Sequence, residues 1–568
     1  LFVNYHSDYD YPKQLWSSSA SAFLESSPPN VHYFFMSYEP GDEEEHVSEI
    51  QARMNSALAG MSEGDQAHWA DRLHYVTSAW SSGSVGSALS GRGAWAIGID
   101  RHQAFYEVGY LSNISTSSAE LRFLTFEARH LNYLVDQADF INGLASDAFV
   151  SFDGSPVSSG YATLGLPSAE EMANYDSMYI ELELGCGDPY YENCGEWDYL
   201  IHAYVCDQPA EENPYADTAC QGSVPEVMGL CWNGSVETET TCTTDADCIV
   251  VDPDTGSTTV DDSGTEDSGS EDSGSGDSGT TLIDDPAEEP ETAISTCVGY
   301  EAAISADTQE CGCNTPLGTE TSSTYTCRAD GSGYDDCSCS CGTEIGRWIT
   351  SYARNGKWVM DASPALAFLK SGGEHSIRFA SAYSYENTLT FHMTQEDKGG
   401  TPDSIHALFT GGGFNEAYND KYSPIEIDIP ADAKRVELYA VISGHGWGAE
   451  VENCAEFCNH THHFTINGTE YVKEHPKAGR SEGCIEQIEN GTIPNQFGTW
   501  PYGRGGWCPG KQVDPWIVDV TDVVTPGETA TITYQGLFEG EDYVPVPSGS
   551  GSGFGANINM QSHLVISR

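Results

Sequence analysis

Positive charge is scarce in this chain: Lys and Arg number 23 against 87 Asp and Glu, a formal net charge of -64 over 568 residues. Such a surface repels a phosphate backbone, so nucleic acid is excluded as a partner. No run of about 18 consecutive apolar residues occurs, so no transmembrane segment is expected. Cysteine is missing from the first 185 residues, and all 18 cysteines lie between Cys186 and Cys508. An even number crowded at close spacing points to disulfides made in an oxidising compartment, hence to a secreted or cell-surface protein. Lys and Arg are absent again from residues 252–290, where 13 acidic side chains accompany the run "DDSGTEDSGSEDSGSGDSG". With almost nothing apolar to bury, that run cannot offset its ordering entropy and is expected to be a flexible tether. The rest of the acidic excess lies in the other domains, where it favours solubility in a saline medium.

What is present falls into distinct textures. "VHYFFMSY" at 31–38 reads as a buried strand, and Val47, Ile50, Met54, Leu58 and Met61 then recur at helical spacing. "RLHYVTSAW", "AWAIGID" and "AFYEVGYL" follow as strands, and "FEARHLNYLVDQADFINGL" as a closing helix. The order predicts an α/β domain over residues 1–150, thioredoxin-like in topology and not in motif. Where a redox member carries two cysteines after its first strand, this chain has Ser37, Tyr38, Glu39 and Pro40, which excludes thiol chemistry. The expected role is docking or scaffolding, including cell-surface attachment or self-assembly.

From residue 151 the texture changes to short alternating strands such as "YIELELG", "WDYLIHAYV", "HSIRFASAYSY" and "TLTFHMT". Residues 151–206 and 341–396 are expected to form one antiparallel β domain, interrupted by a Cys-rich insert at 207–340 that contains the tether. A second β domain is expected over 397–568, from "PIEIDIP", "RVELYAVISG", "HHFTING" and "TATITYQGLF". The fold class is therefore mainly β, with sandwiches or jelly rolls fitting the strand spacing.

Three stretches join cysteines to a carboxylate or an arginine: "CGDPYYENCGEWDYL" at 186–200, "GHGWGAEVENCAEFCNHTHHFTING" at 444–468 and "GCIEQIENGTIPNQFGTWPYGRGGWCPG" at 483–510. Cys186 and Cys194 can close a small loop before Glu196, Trp197 and Asp198. Cys454 and Cys458 would fix Glu456 on a tight loop, and Cys484 with Cys508 would hold Arg504 and Trp507 between them. Two carboxylates and an arginine on stapled loops can do hydrolysis: one carboxylate activates water, the other serves the leaving group, and the guanidinium stabilises an oxyanion. Stapled loops also carry solvated Asp and Glu with no chemistry, so the pattern alone leaves a non-catalytic protein open.

These elements, their order, and "EIGRWITSYARNGKWVMDASPALAFLKSGGEHSIRF" between them resemble the bacterial peptide:N-glycosidase F family, over residues 175–206 and 341–568. The resemblance implies two eight-stranded jelly rolls side by side and hydrolysis of the amide that links N-glycans to asparagine, with no cofactor and no metal. Its implied partners are N-linked glycans or glycoproteins. By position it assigns catalysis to Asp198, Glu456 and Arg504, and substrate contact to Trp197, Trp507 and their neighbours Glu196, Tyr199, His445, Trp447, Phe457 and His462. It departs from the family at four points, one of them the aromatic beside the second carboxylate, which is Phe457 here. Tyr199 stands for an arginine, His445 for a tryptophan, and the third family carboxylate falls near Ala382, where only Glu386 could substitute. A non-catalytic glycan-binding or filament protein on the same fold is the alternative reading. A copper monooxygenase-like site at His460, His462, His463 and His445 is weighed against, because adjacent residues of a strand point to opposite faces.

Overall fold

The computed structural model describes residues 1–6, 20–37, 40–81, 84–89, 96–108, 122–185, 197–205, 229–232, 237–242, 250–251, 258–259, 296–298, 343–352, 354–496 and 498–568. They fall into two compact units, Leu1–Val205 with Thr343–Arg568, and Cys206–Gly342. Among the described residues no helix is long and apolar enough to cross a membrane.

The N-terminal part of the first unit is α/β, as expected. Its five strands are β1 (Phe2–His6), β2 (Tyr33–Ser37), β3 (Leu73–Ala79), β4 (Ala96–Ile99) and β5 (Phe105–Val108), in the order β3-β2-β1-β4-β5. β1 runs parallel to β2 and antiparallel to β4. This central strand has only Phe2 and Val3 as an apolar start, too short a pattern to be read from the sequence. Helices α1 (Ala20–Ser26), α2 (Glu43–Leu58), α3 (Glu63–Ala70), α4 (Ser84–Leu89) and α5 (Arg122–Gly143) complete it. α2 opens with Glu43, Glu44 and Glu45, whose charge suits the positive end of the helix dipole, and buries Val47, Ile50 and Met54. α5 is apolar on more than one side of its first turns. Phe123, Leu124 and Ala128 enter the α/β core, while Phe126 and Tyr133 join cores of the C-terminal half.

The first β sandwich is built on two long strands, β6 (Asp147–Ser168) and β16 (Gly372–Thr394), which pair along their length. "HSIRFASAYSY" and "TLTFHMT", read as two strands, are one: a register shift between Ala380 and Tyr385 bends β16 without ending it. Beyond the bend β16 changes neighbour. Ile377–Ala380 pair with β8 (Leu200–Val205), and Glu386–Thr394 with β7 (Ser177–Gly185). β14 (Thr343–Ile349) extends the first layer beside β8, and β15 (Gly356–Asp361) the second beside β7. Both layers bury into one core, where Ile201, Ala203 and Ile345 meet Ile180, Leu182 and Trp358. The second sandwich has two antiparallel four-stranded sheets. One is β17 (Pro402–Gly413), β25 (Phe554–Ser567), β19 (Arg435–Trp447) and β23 (Trp516–Asp519); the other is β18 (Ile425–Asp428), β24 (Thr529–Phe538), β20 (His460–Ile466) and β21 (Thr469–Glu474). The short β22 (Lys511–Gln512) leaves the second sandwich to pair with β14 of the first.

In the second unit β9 (Gly229–Trp232) lies between β10 (Glu237–Cys242) and β13 (Thr296–Val298), and β11 (Val250–Val251) pairs with β12 (Thr258–Thr259). The expected tether at 252–290, apart from Thr258 and Thr259, lies outside the described residues.

Candidate active site

Asp198 sits two residues before β8, at a vertex held by the end of β14. Thr350 donates its hydroxyl to the Trp197 carbonyl at 2.6 Å and accepts from the Tyr199 N–H at 2.8 Å. Its own N–H donates to the Tyr199 carbonyl at 2.9 Å. Two residues on, the Tyr352 hydroxyl lies beside the Asp198 carboxylate and favours its charged form. Burial raises the Asp198 carboxyl above its ordinary range, against the pull of Arg504 and this hydroxyl. Cys186, Cys194 and Glu196 lie outside the described residues.

Glu456 is the middle residue of a loop closed by the Cys454–Cys458 disulfide, whose Cα atoms are 4.8 Å apart. Asn453, just before the ring, and Ala455, within it, have positive φ, +48° and +74°, a conformation asparagine adopts readily and alanine only at a cost. Glu456 is 7% exposed, and its Oε2 accepts from the Gly446 N–H at 3.0 Å. Burial pushes its carboxyl up to about 7, helped by the neighbouring Asp198 and opposed by Gly446 and Arg504.

Arg504 lies between the two. The Cys484–Cys508 disulfide closes its loop, and β22 ties the end of that loop to β14. The Gly510 N–H donates to the carbonyl of Thr350, the residue that also holds Asp198, at 3.1 Å. The guanidinium donates to the carbonyls of Thr499 and Tyr502 and to the Thr499 hydroxyl, at 2.9, 2.5 and 3.0 Å. Its carbon is 5.4 Å from the Phe457 ring centre and 5.1 Å from that of Trp507. So fixed, it stands 3.6 Å from Asp198 and 3.5 Å from Glu456. Both separations exceed a direct hydrogen bond, and Nε has no hydrogen-bond partner, so the group keeps donor capacity toward the space between the carboxylates. Next in the chain, the Gly505 N–H donates to the Glu456 carbonyl at 2.6 Å. A Cβ at Gly505 would come 2.0 Å from the Ala455 carbonyl oxygen, so this approach requires glycine.

The remaining expected residues divide by exposure. Trp197, Tyr199 and Trp447 are exposed, the last opposite the exposed Phe554. Phe457 is half-buried over Arg504. Trp507, expected to offer a face to substrate, is buried: its indole N–H donates to the Gly444 carbonyl at 2.7 Å and its ring stacks on His445. His445 is turned inward to the Ser443 hydroxyl at 2.8 Å. His462, also expected to contact substrate, is fully buried against Tyr534 and reaches no surface, because it occupies the inward face of β20. Ala382 is exposed, and Glu386 is an exposed residue of β16 opposite Gly185. Among the described residues no ion pair joins Glu386 to Arg504. The sequence reading missed Tyr352 and Thr350, which hold Asp198, and a buried ion pair between Arg347 and Glu344. Arg347 reaches the Ser443 hydroxyl at 2.9 Å, and Glu344 is 2.7 Å from His202.

Residues 413–565 match the family model described as peptide-N-glycosidase F, C terminal. A curated relative, peptide-N(4)-(N-acetyl-beta-D-glucosaminyl)asparagine amidase F of Elizabethkingia miricola, is 32% identical over 218 residues, 34% of this chain. The match spans 57% of that relative's length. A solved structure of a peptide-N(4)-(N-acetyl-beta-D-glucosaminyl) asparagine amidase aligns with TM-score 0.41 and 15% identity, covering 74% of this chain and 96% of that one. Another, of PNGase F, a glycosylasparaginase from Flavobacterium meningosepticum, aligns with TM-score 0.39 and 14% identity over 74% and 96% of the two chains. Over residues 413–565, then, the sequence is similar to the C-terminal part of peptide-N-glycosidase F.

Proposed function

We propose that the protein is an amidase that hydrolyses the bond between an N-linked glycan and its asparagine. The observation that carries this reading is Arg504, held between two carboxyls from different sandwiches with donor capacity unspent. Asp198 takes a proton from a water that attacks the side-chain amide carbon, and Arg504 receives the charge that develops on the amide oxygen. Collapse breaks the C–N bond, and the nitrogen leaves with the proton returned by Asp198, giving aspartate and a glycosylamine. Glu456, with a donor on one oxygen and Arg504 beside the other, orients the first sugar and the guanidinium. The exposed rings of Trp197, Tyr199 and Trp447 offer apolar faces to the rest of the glycan. Paired cysteines fit an oxidising, extracellular setting.

Incubation with an N-glycopeptide in heavy-oxygen water tests this. The peptide should be released as the aspartate form carrying one heavy oxygen, and Asp198→Asn should abolish release. A folded sample that binds glycopeptide and leaves it intact at every pH would favour the glycan-binding alternative.

A further inference from the structure

Away from Asp198, Glu456 and Arg504, the described residues include a cluster of side chains with unspent chemistry. His460 and His462 are fully buried and His475 is 5% exposed, and the Nε2 of each has no hydrogen-bond partner. One ligand atom from each lies within 4.8 Å of the other two. The ring centroids are 4.9, 4.6 and 5.4 Å apart. Strand register explains the meeting. His460 and His462 are two apart on β20 and share its inward face. Thr461 pairs with Glu474, which sets His475, just past β21, across from His460. His463 points the other way, to Glu470 at 3.0 Å.

The ring nitrogens are arranged as those of metal ligands are. The His460 Nδ1 lies 3.3 Å from the Cys458 carbonyl, which can only accept, so Nδ1 carries the proton and Nε2 a lone pair. The His462 Nδ1 is likewise engaged, with the Tyr534 hydroxyl at 2.7 Å. Burial keeps all three imidazoles neutral, and hence able to ligate.

We propose that His460, His462 and His475 bind one imidazole-seeking transition-metal ion, zinc or copper(I), as a structural site beneath the loops that carry Glu456 and Arg504. A metal about 2 Å from each Nε2 sits about 3 Å from each ring centre, and tetrahedral geometry then sets the centroids about 5 Å apart. The observed triangle has those dimensions. The ligand atoms lie within 4.8 Å of one another, and a tetrahedral ion holds its nitrogens roughly 3.4 Å apart, a spacing reached by turning the rings about their present centres. Three neutral donors leave the ion's charge uncompensated, and Lys473 nearby adds to it, which favours the monovalent ion over the divalent one. The site underlies the catalytic loops closely. A Cβ at Gly505 would meet His460 Cε1 at 2.5 Å, and one at Gly506 would meet His475 Cε1 at 2.9 Å. An ion that locks the two rings therefore locks the turn that follows Arg504.

The test needs no glycan substrate. The full chain is stripped with a chelator, loaded with Zn2+ or with Cu+ kept reduced by ascorbate, desalted, and analysed for metal and for its thermal midpoint. About one equivalent of either ion should be retained, with a raised midpoint, and which ion is held more tightly identifies the native one. His462→Asn and His475→Asn should each lower retention at least tenfold, and His463→Asn should leave it unchanged. Should the inward variants fail to fold, Co2+ loading of the unaltered chain decides, since tetrahedral nitrogen coordination gives a strong visible absorption. Loss of metal in His463→Asn equal to that in His475→Asn, or an unaltered chain that retains neither ion and shows no cobalt band, would overturn the proposal.

Discussion

Phe126 in α5 meets the indole of Trp500 edge-on, with ring centroids 6.1 Å apart. A helix of the α/β module thereby touches the loop that carries Arg504. Both rings share a buried cluster with Tyr352, whose hydroxyl lies beside Asp198. Beside them Glu127 forms a two-pronged pair with Arg354 at 2.8 and 3.2 Å and accepts from the Asn495 amide at 2.7 Å. These contacts make the module a buttress of the site. Phe126→Ala should cost about 3 kcal/mol of stability, seen as a lower urea midpoint at unchanged slope. Released from that packing, Tyr352 should hold Asp198 less well, so kcat should fall more than KM rises. An unchanged midpoint and an unchanged kcat would leave the module without this role.

Arg504→Lys keeps the charge and loses the fork. An ammonium cannot donate at once to the Thr499 and Tyr502 carbonyls and still lie between Asp198 and Glu456. We expect kcat/KM for glycopeptide cleavage to fall about 100-fold, the usual loss on removing one oxyanion donor. A folded Arg504→Lys variant with near-normal turnover would show that the guanidinium geometry is not used.

The elements of the site were largely legible in the sequence, and its supports were not. Glu456 and Arg504 lie in stretches that cysteines bracket, and spacing alone suggested the two disulfides found there. Thr350 and Tyr352 carry no such mark. They matter only because β14 ends where the chain enters β8, a pairing separated in sequence by the whole insert. The same holds for the histidines. Reading along β20 made His462 and His463 the pair to judge, whereas the grouping that forms runs across strands, to His475 beyond β21. Trp507 was misjudged for a related reason. The resemblance assigns it to substrate contact by position, but its indole N–H finds the Gly444 carbonyl and both of its neighbours, His445 and Arg504, cover it.

Ala455 offers a test of loop strain. Its φ of +74° is left-handed, and the Cys454–Cys458 bridge and the packing of its carbonyl oxygen near Gly505 leave it little freedom to relax. Glycine at this position removes the Cβ penalty, so Ala455→Gly should raise stability by about 1 kcal/mol in a urea titration with the disulfides intact. A loss of stability would mean that the Ala455 methyl, which belongs to the buried core of the second sandwich, contributes more by packing than its backbone costs.

Glu456 ties stability and activity to pH in opposite senses. Its carboxyl is raised from 4.5 to about 7, first by burial, so between these values the folded state holds a proton that the unfolded state has released. Stability attributable to this group is therefore full below about pH 4.5 and declines as pH rises toward 7, by about 3 kcal/mol in all. Glu456→Gln cannot ionise, so its unfolding free energy should lack that decline. The difference is measured by urea titrations at pH 4.5 and pH 8. Activity should run the other way. Gly446 donates to one oxygen of Glu456 and the Arg504 Nε–H faces the other, an arrangement of donors that suits the ionised form. Cleavage of a glycopeptide should therefore increase as pH rises through about 7, and a rate that falls over that range would show that the protonated acid is the working form.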